Sequence, residues 1–101
     1  MYVITEYLMK HATKDRPICS KALANAFNMG DAGVRHLVNS ARKSGDPICS
    51  NCKGYYVAQD KAELVSTIES IRKRIQNMNE AVEGLEKCLT LMVKEGRNDV
   101  P

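Results

Sequence analysis

The sequence predicts a mainly α fold with a small β-hairpin wing, followed by one long C-terminal helix. Three observations predict it. Three apolar patterns at helical spacing fill residues 2–44, each ended by a Pro, Gly or Asn punctuation. Two short β-type runs then flank the turn Asn51-Cys52-Lys53-Gly54. From Lys61 a single apolar stripe continues without a Pro to Met92.

Taken in order, Tyr2 to Ala12 reads as the first helix, with Val3, Ile4, Tyr7 and Leu8 on its apolar face. Pro17 biases Arg16 out of the helical region, so Ile18-Cys19 reads as a very short strand. Ser20 suits a helix N-cap because its hydroxyl can accept from an orphan backbone N–H. Lys21 to Phe27 is then a second helix with Leu23, Ala24 and Phe27 inward. Asn28-Met29-Gly30 is a tight turn. Asp31 is the expected cap of a third helix, Ala32 to Ser44, with Val34, Leu37, Val38 and Ala41 on its inward face. Gly45 ends it and Asp46-Pro47 prevents a restart. Ile48-Cys49-Ser50 and Tyr55-Tyr56-Val57 are the hairpin strands. Alternation puts Tyr55 and Val57 on the core side and Tyr56 outward. The tetrapeptide Pro-Ile-Cys-Ser occurs at 17–20 and again at 47–50, and reads as two strand starts after a Pro.

In the last segment Leu64, Ile68, Ile71, Ile75, Met78, Val82, Leu85, Leu89 and Met92 recur in alternating steps of four and three. A narrow stripe at 3.5 spacing is the mark of a coiled coil. A domain of about 60 residues is marginal alone, and so small a body cannot bury a stripe about 50 Å long. The expectation is a homodimer through these residues. Its orientation stays open: a parallel pair sets Thr67 near Arg72 and Arg74 near Asn79. An antiparallel pair centred near Asn79 sets Arg72 against Glu86 and Val65 against Val93, which is more complementary. The domains expected are residues 1–59, the long helix at 60–95 and a flexible tail at 96–101.

The 101 residues carry 44% hydrophobic and 27% charged side chains, which suits a globular chain rather than a disordered one. Nothing approaches the apolar length that spans a bilayer. Met1-Tyr2-Val3-Ile4-Thr5-Glu6 is not a secretory signal, so four reduced thiols and a cytoplasmic setting are expected. Net charge is +3, and all of the excess falls in residues 1–60, which favours a partner with phosphates for that part.

Cys49 and Cys52 form a CxxC. One such pair is half a zinc site, and a redox CxxC belongs at a helix N-terminus rather than in a hairpin, so packing is the expected role. No metal or other cofactor is expected. No phosphate loop, Ser-His-Asp set or catalytic carboxylate pair is visible, and an enzyme is not expected.

Residues 16–57 resemble the winged helix-turn-helix domain at the N-terminus of biotin-operon repressors and their relatives. The resemblance is carried by Ser20-Lys21-Ala22-Leu23-Ala24, Gly30 to Val38, Arg42-Lys43-Ser44-Gly45-Asp46-Pro47-Ile48 and Lys53-Gly54-Tyr55-Tyr56-Val57. The whole chain is also similar, more loosely, to small helix-turn-helix proteins of bacteriophages and prophages. The resemblance implies that Ala32–Ser44 is a recognition helix entering the major groove of double-stranded DNA, with the wing on the backbone or minor groove. It implies base contacts from Arg35, His36, Asn39, Arg42 and Lys43, since Arg suits guanine and Asn adenine. Lys21, Lys43 and Lys53 become phosphate contacts, and Tyr56 lies outward on the wing. A dimeric DNA-binding regulator of transcription, in a bacterial cell or phage-infected host, is the function so implied.

The chain departs from that family at Asp31-Ala32-Gly33, where Ser and basic or hydroxyl residues are usual. Asp31 repels phosphate, and Gly33 costs the helix up to about 1 kcal/mol. Either the backbone approaches the groove closely there, or that end meets something else. The second option makes the chain a phage-type adaptor or inhibitor that binds a host protein.

Overall fold

The computed structural model describes residues 1–95; the tail expected at 96–101 lies outside the described residues. The element order is α1 (Val3–His11), α2 (Ser20–Ala26), α3 (Asp31–Lys43), β1 (Ile48–Asn51), β2 (Gly54–Val57) and α4 (Lys61–Lys94). Contacts divide the chain after Ile68 rather than after residue 59. The first two turns of α4 therefore belong with the head formed by the other elements.

In the head, α1–α3 and the hairpin enclose one core of Ile4, Leu8, Leu23, Val34, Val38, Ala41, Ile48, Cys49 and Tyr56 with Ala12 and Ala24. Helix α1 buries Ile4, Thr5 and Leu8. Val3, expected on that face, is exposed. Thr5 takes the inward place because its hydroxyl has a partner: it donates to the Asp46 carboxylate at 2.6 Å. The Tyr2 N–H donates to the same oxygen at 3.0 Å. One carboxylate from the α3–β1 connection thus clasps the start of α1. Both hydrogen bonds favour its charged form and hold Asp46 below the ordinary carboxylate value, Thr5 contributing most.

Two helix starts differ from expectation by one residue. Cys19 and Gly30 occupy the extended cap positions of α2 and α3, and neither helix has a side-chain cap bond. Ser20 and Asp31 are already helical, so Asp31 acts as a first-turn acid beside the helix N-terminus. The end of α3 follows the expected glycine logic. Gly45 has φ +95°, the Gly45 N–H donates to Arg42 O at 3.0 Å, and the Asp46 N–H donates to Ala41 O at 3.0 Å. That pair of bonds is a Schellman stop.

Strands β1 and β2 pair antiparallel with Ile48 opposite Val57, Cys49 opposite Tyr56, Ser50 opposite Tyr55 and Asn51 opposite Gly54. The expected first strand shrinks to one bridge, Ile18 with Tyr55, because Pro17 supplies no N–H before it and α2 starts two residues after it. Tyr55 thereby pairs with Ile18 on one side and Ser50 on the other. Gly54 explains the tightness of this edge. Its φ is +154°, and a Cβ there would collide with the Ile18 carbonyl.

Helix α4 starts with reciprocal caps. The Glu63 N–H donates to Asp60 Oδ1 at 2.9 Å, and Glu63 Oε1 accepts from the Gln59 N–H at 3.1 Å. Leu64 packs against the head core and Thr67 is 4% exposed. From Glu69 the helix continues to Lys94. Among the described residues no helix is long and apolar enough to cross a membrane.

Candidate nucleic-acid interface

The candidate surface is the outer face of α3. Its inner face is fixed by Val34, Val38 and Ala41, each at most 1% exposed. With 3.6 residues per turn, Arg35, Asn39 and Lys43 then line up along the opposite side at i, i+4 and i+8, with His36 beside them. All four are exposed. Among the described residues none of the four is held by a hydrogen bond or ion pair. The line from Arg35 to Lys43 is about 12 Å long at about 1.5 Å per residue.

Arg42 belongs to a different system, which corrects its expected place on that face. It is half-buried. Its Nε donates to Ile48 O at 2.9 Å and its Nη2 to Ser50 Oγ at 3.2 Å. The guanidinium therefore ties the last turn of α3 to β1. The planar fork of Arg suits two acceptors two residues apart on the strand.

Tyr56 is a second correction. It was expected outward on the wing and is 3% exposed. Successive strand residues face opposite ways, yet Ile48 and Cys49 are both buried, so the hairpin is covered on both faces. The second cover is the start of α4. The Cys49 thiol donates to Glu63 O at 3.6 Å, the Ser50 N–H donates to Thr67 Oγ1 at 3.4 Å, and the Tyr56 hydroxyl bonds Thr67. Burial is the main cause pushing the Tyr56 phenol above its ordinary pKa, with the bond to Thr67 opposing it. Strand alternation carried no sign of this second cover. The residue that could have shown it is Thr67, a small polar side chain one turn after Leu64 and beside the apolar stripe.

Lys21 is exposed in the first turn of α2, which packs on α3. Lys53 is exposed in the hairpin turn. That turn is shaped by Asn51, whose Oδ1 accepts from the Lys53 N–H at 2.9 Å and the Gly54 N–H at 3.2 Å. A Cβ at Gly33 would meet the Met29 side chain, its Sδ at 3.2 Å, so the glycine leaves room for Met29 of the turn before α3. Asp31 and Ala32 remain exposed at the helix start.

The four cysteines are free thiols: Cys49 is buried, and Cys19, Cys52 and Cys88 are exposed. Of the stripe on α4, Leu64 is engaged in the head. Ile68, Ile75, Met78, Val82, Leu85 and Leu89 are exposed, Leu85 to 71%, and Ile71 and Met92 are intermediate. Against protein-family models, curated proteins and solved structures, the chain has no match.

Proposed function

We propose that the chain is a dimeric double-stranded-DNA-binding protein of the winged helix-turn-helix type, acting as a transcriptional regulator. The observation that carries this reading is the line Arg35, His36, Asn39 and Lys43, exposed, unpartnered and opposite the buried stripe of α3. Its residue types suit base edges and phosphates. Lys21 and Lys53 add positive charge from α2 and the wing turn. The order of three helices followed by a hairpin supports the same reading. Arg42 and Tyr56 hold the scaffold instead of touching the ligand. Two heads joined by their long helices gain affinity through effective concentration.

Selection of duplex DNA from a random pool, followed by binding measured across salt concentration, tests the proposal. Affinity should fall steeply with salt. Arg35→Ala should cost about 1–3 kcal/mol and relax specificity, and Lys43→Ala should lower the salt slope by about 1 for all sequences. Binding that is undetectable at low salt would refute the reading. The exposed pair Asp31 and Ala32 favours a second one, an adaptor that binds a host protein through the same helix face. There Asp31→Lys would weaken the protein complex, whereas on DNA it would strengthen binding.

A further inference from the structure

We infer that α4 pairs antiparallel with α4 of a second copy, in the register centred on Glu80. The inference deepens the dimer reading above and rests on it. It begins from where the head stops. Leu64 is packed on the head core and Thr67 is buried beneath it, so the free stripe starts at Ile68 and ends at Met92. Centred on Glu80, Ile68 meets the partner's Met92, Ile71 the partner's Leu89, Ile75 the partner's Leu85 and Met78 the partner's Val82. Every apolar residue of the free stripe gains an apolar partner, and neither end overhangs.

The flanks choose between orientations. Antiparallel pairing brings Arg72 beside the partner's Glu86 on both sides of the two-fold axis. Neither side chain has an ion pair within its own chain among the described residues. It also sets Val65, 50% exposed, against the partner's Val93, 68% exposed, which extends the apolar contact past both ends. Parallel pairing would set Arg72 against Thr67, which the head has buried, and Glu86 against Ala81. It would also set Val65 against Asp60, the carboxylate that caps α4. The usual parallel signature, β-branched residues at one seam position and Leu at the other, is incomplete. Ile68, Ile75 and Val82 fit the first half but Leu89 at the same position does not, and the other position holds Ile71, Met78, Leu85 and Met92.

Single cysteines in the full chain test the orientation, with Cys19, Cys52 and Cys88 replaced by Ser and buried Cys49 left in place. Asn79→Cys lies beside its own counterpart only in the antiparallel pair, and Ile68→Cys only in the parallel one. Under mild oxidation Asn79→Cys should form the cross-linked dimer and Ile68→Cys should not. The reverse pattern would overturn the orientation while leaving the dimer standing. A lone chain in sedimentation at micromolar concentration would overturn both. Charge reversal gives an independent check. Arg72→Glu should weaken the dimer about tenfold, and adding Glu86→Arg should restore it, whereas a parallel pair would leave the first variant unchanged.

Discussion

Helices α3 and α4 carry the same kind of apolar stripe with opposite outcomes. On α3 the stripe is sealed: Val34 and Ala41 are 0% exposed. On α4 beyond the head it is open: Met78 is 68% exposed and Leu85 71%. The difference lies in what each helix has to pack against. Helix α3 is met by α1, α2 and β1. The stripe of α4 outlasts the head after Leu64 and Thr67. Amphipathic spacing therefore marks a face suited to burial and does not say what, if anything in the same chain, covers it. Chain length and the size of the neighbouring core decide whether the cover comes from within the molecule.

The same substitution in the two regions should break in two different ways. Leu23→Ala, at a fully buried site, should cost the head about 2–5 kcal/mol, seen in chemical denaturation and independent of protein concentration. Leu85→Ala should leave the head's own stability untouched and weaken association about tenfold to a hundredfold, read by sedimentation. If Leu85→Ala destabilised the head at all concentrations, the contrast between the helices would be lost. A smaller change sharpens the boundary where α4 leaves the head. Tyr56→Phe removes the hydroxyl that bonds Thr67 and should cost about 1 kcal/mol without altering duplex affinity. An outward wing contact would give the opposite split. Because burial raises the Tyr56 pKa, the folded state holds its proton after the unfolded chain has lost it. Stability should therefore fall as pH rises past the ordinary value of 10.0, and the Phe variant should lose that alkaline limb. The smallest effect belongs to Asp46. Its folded pKa lies below the ordinary 3.8, so its contribution is complete above that pH. It disappears as pH falls through the lower folded value. Asp46→Asn should flatten this acid limb in pH-dependent melting.

Local rules served well wherever the cause was local. Gly45 and Asp46-Pro47 marked the end of α3, Asn51 to Gly54 marked the turn, and Val34, Val38 and Ala41 marked an inner face. They served less well where the cause was a distant residue. The sequence places Arg42 on the recognition face because its acceptors, Ile48 O and Ser50 Oγ, become neighbours only once β1 folds back. Alternation turns Tyr56 outward because it assumes one wet face, and the start of α4 removes that face. Asp46 was noted as part of a helix stop, whereas its carboxylate also reaches Tyr2 and Thr5 at the far end of the sequence. Of the candidate site, Arg35, His36, Asn39 and Lys43 were legible because periodicity alone sets their direction.

Gly54, pressed against the Ile18 carbonyl, divides the wing turn into a fixed part and a variable part. Cys52 and Lys53 project away with no packing duty, so the charge and reach of this tip can be rewritten without disturbing the head. Gly54 cannot follow them, because any side chain there would pry the hairpin from the segment that leads into α2. Diversity in what the wing touches would therefore accumulate at two adjacent positions, next to one that tolerates none.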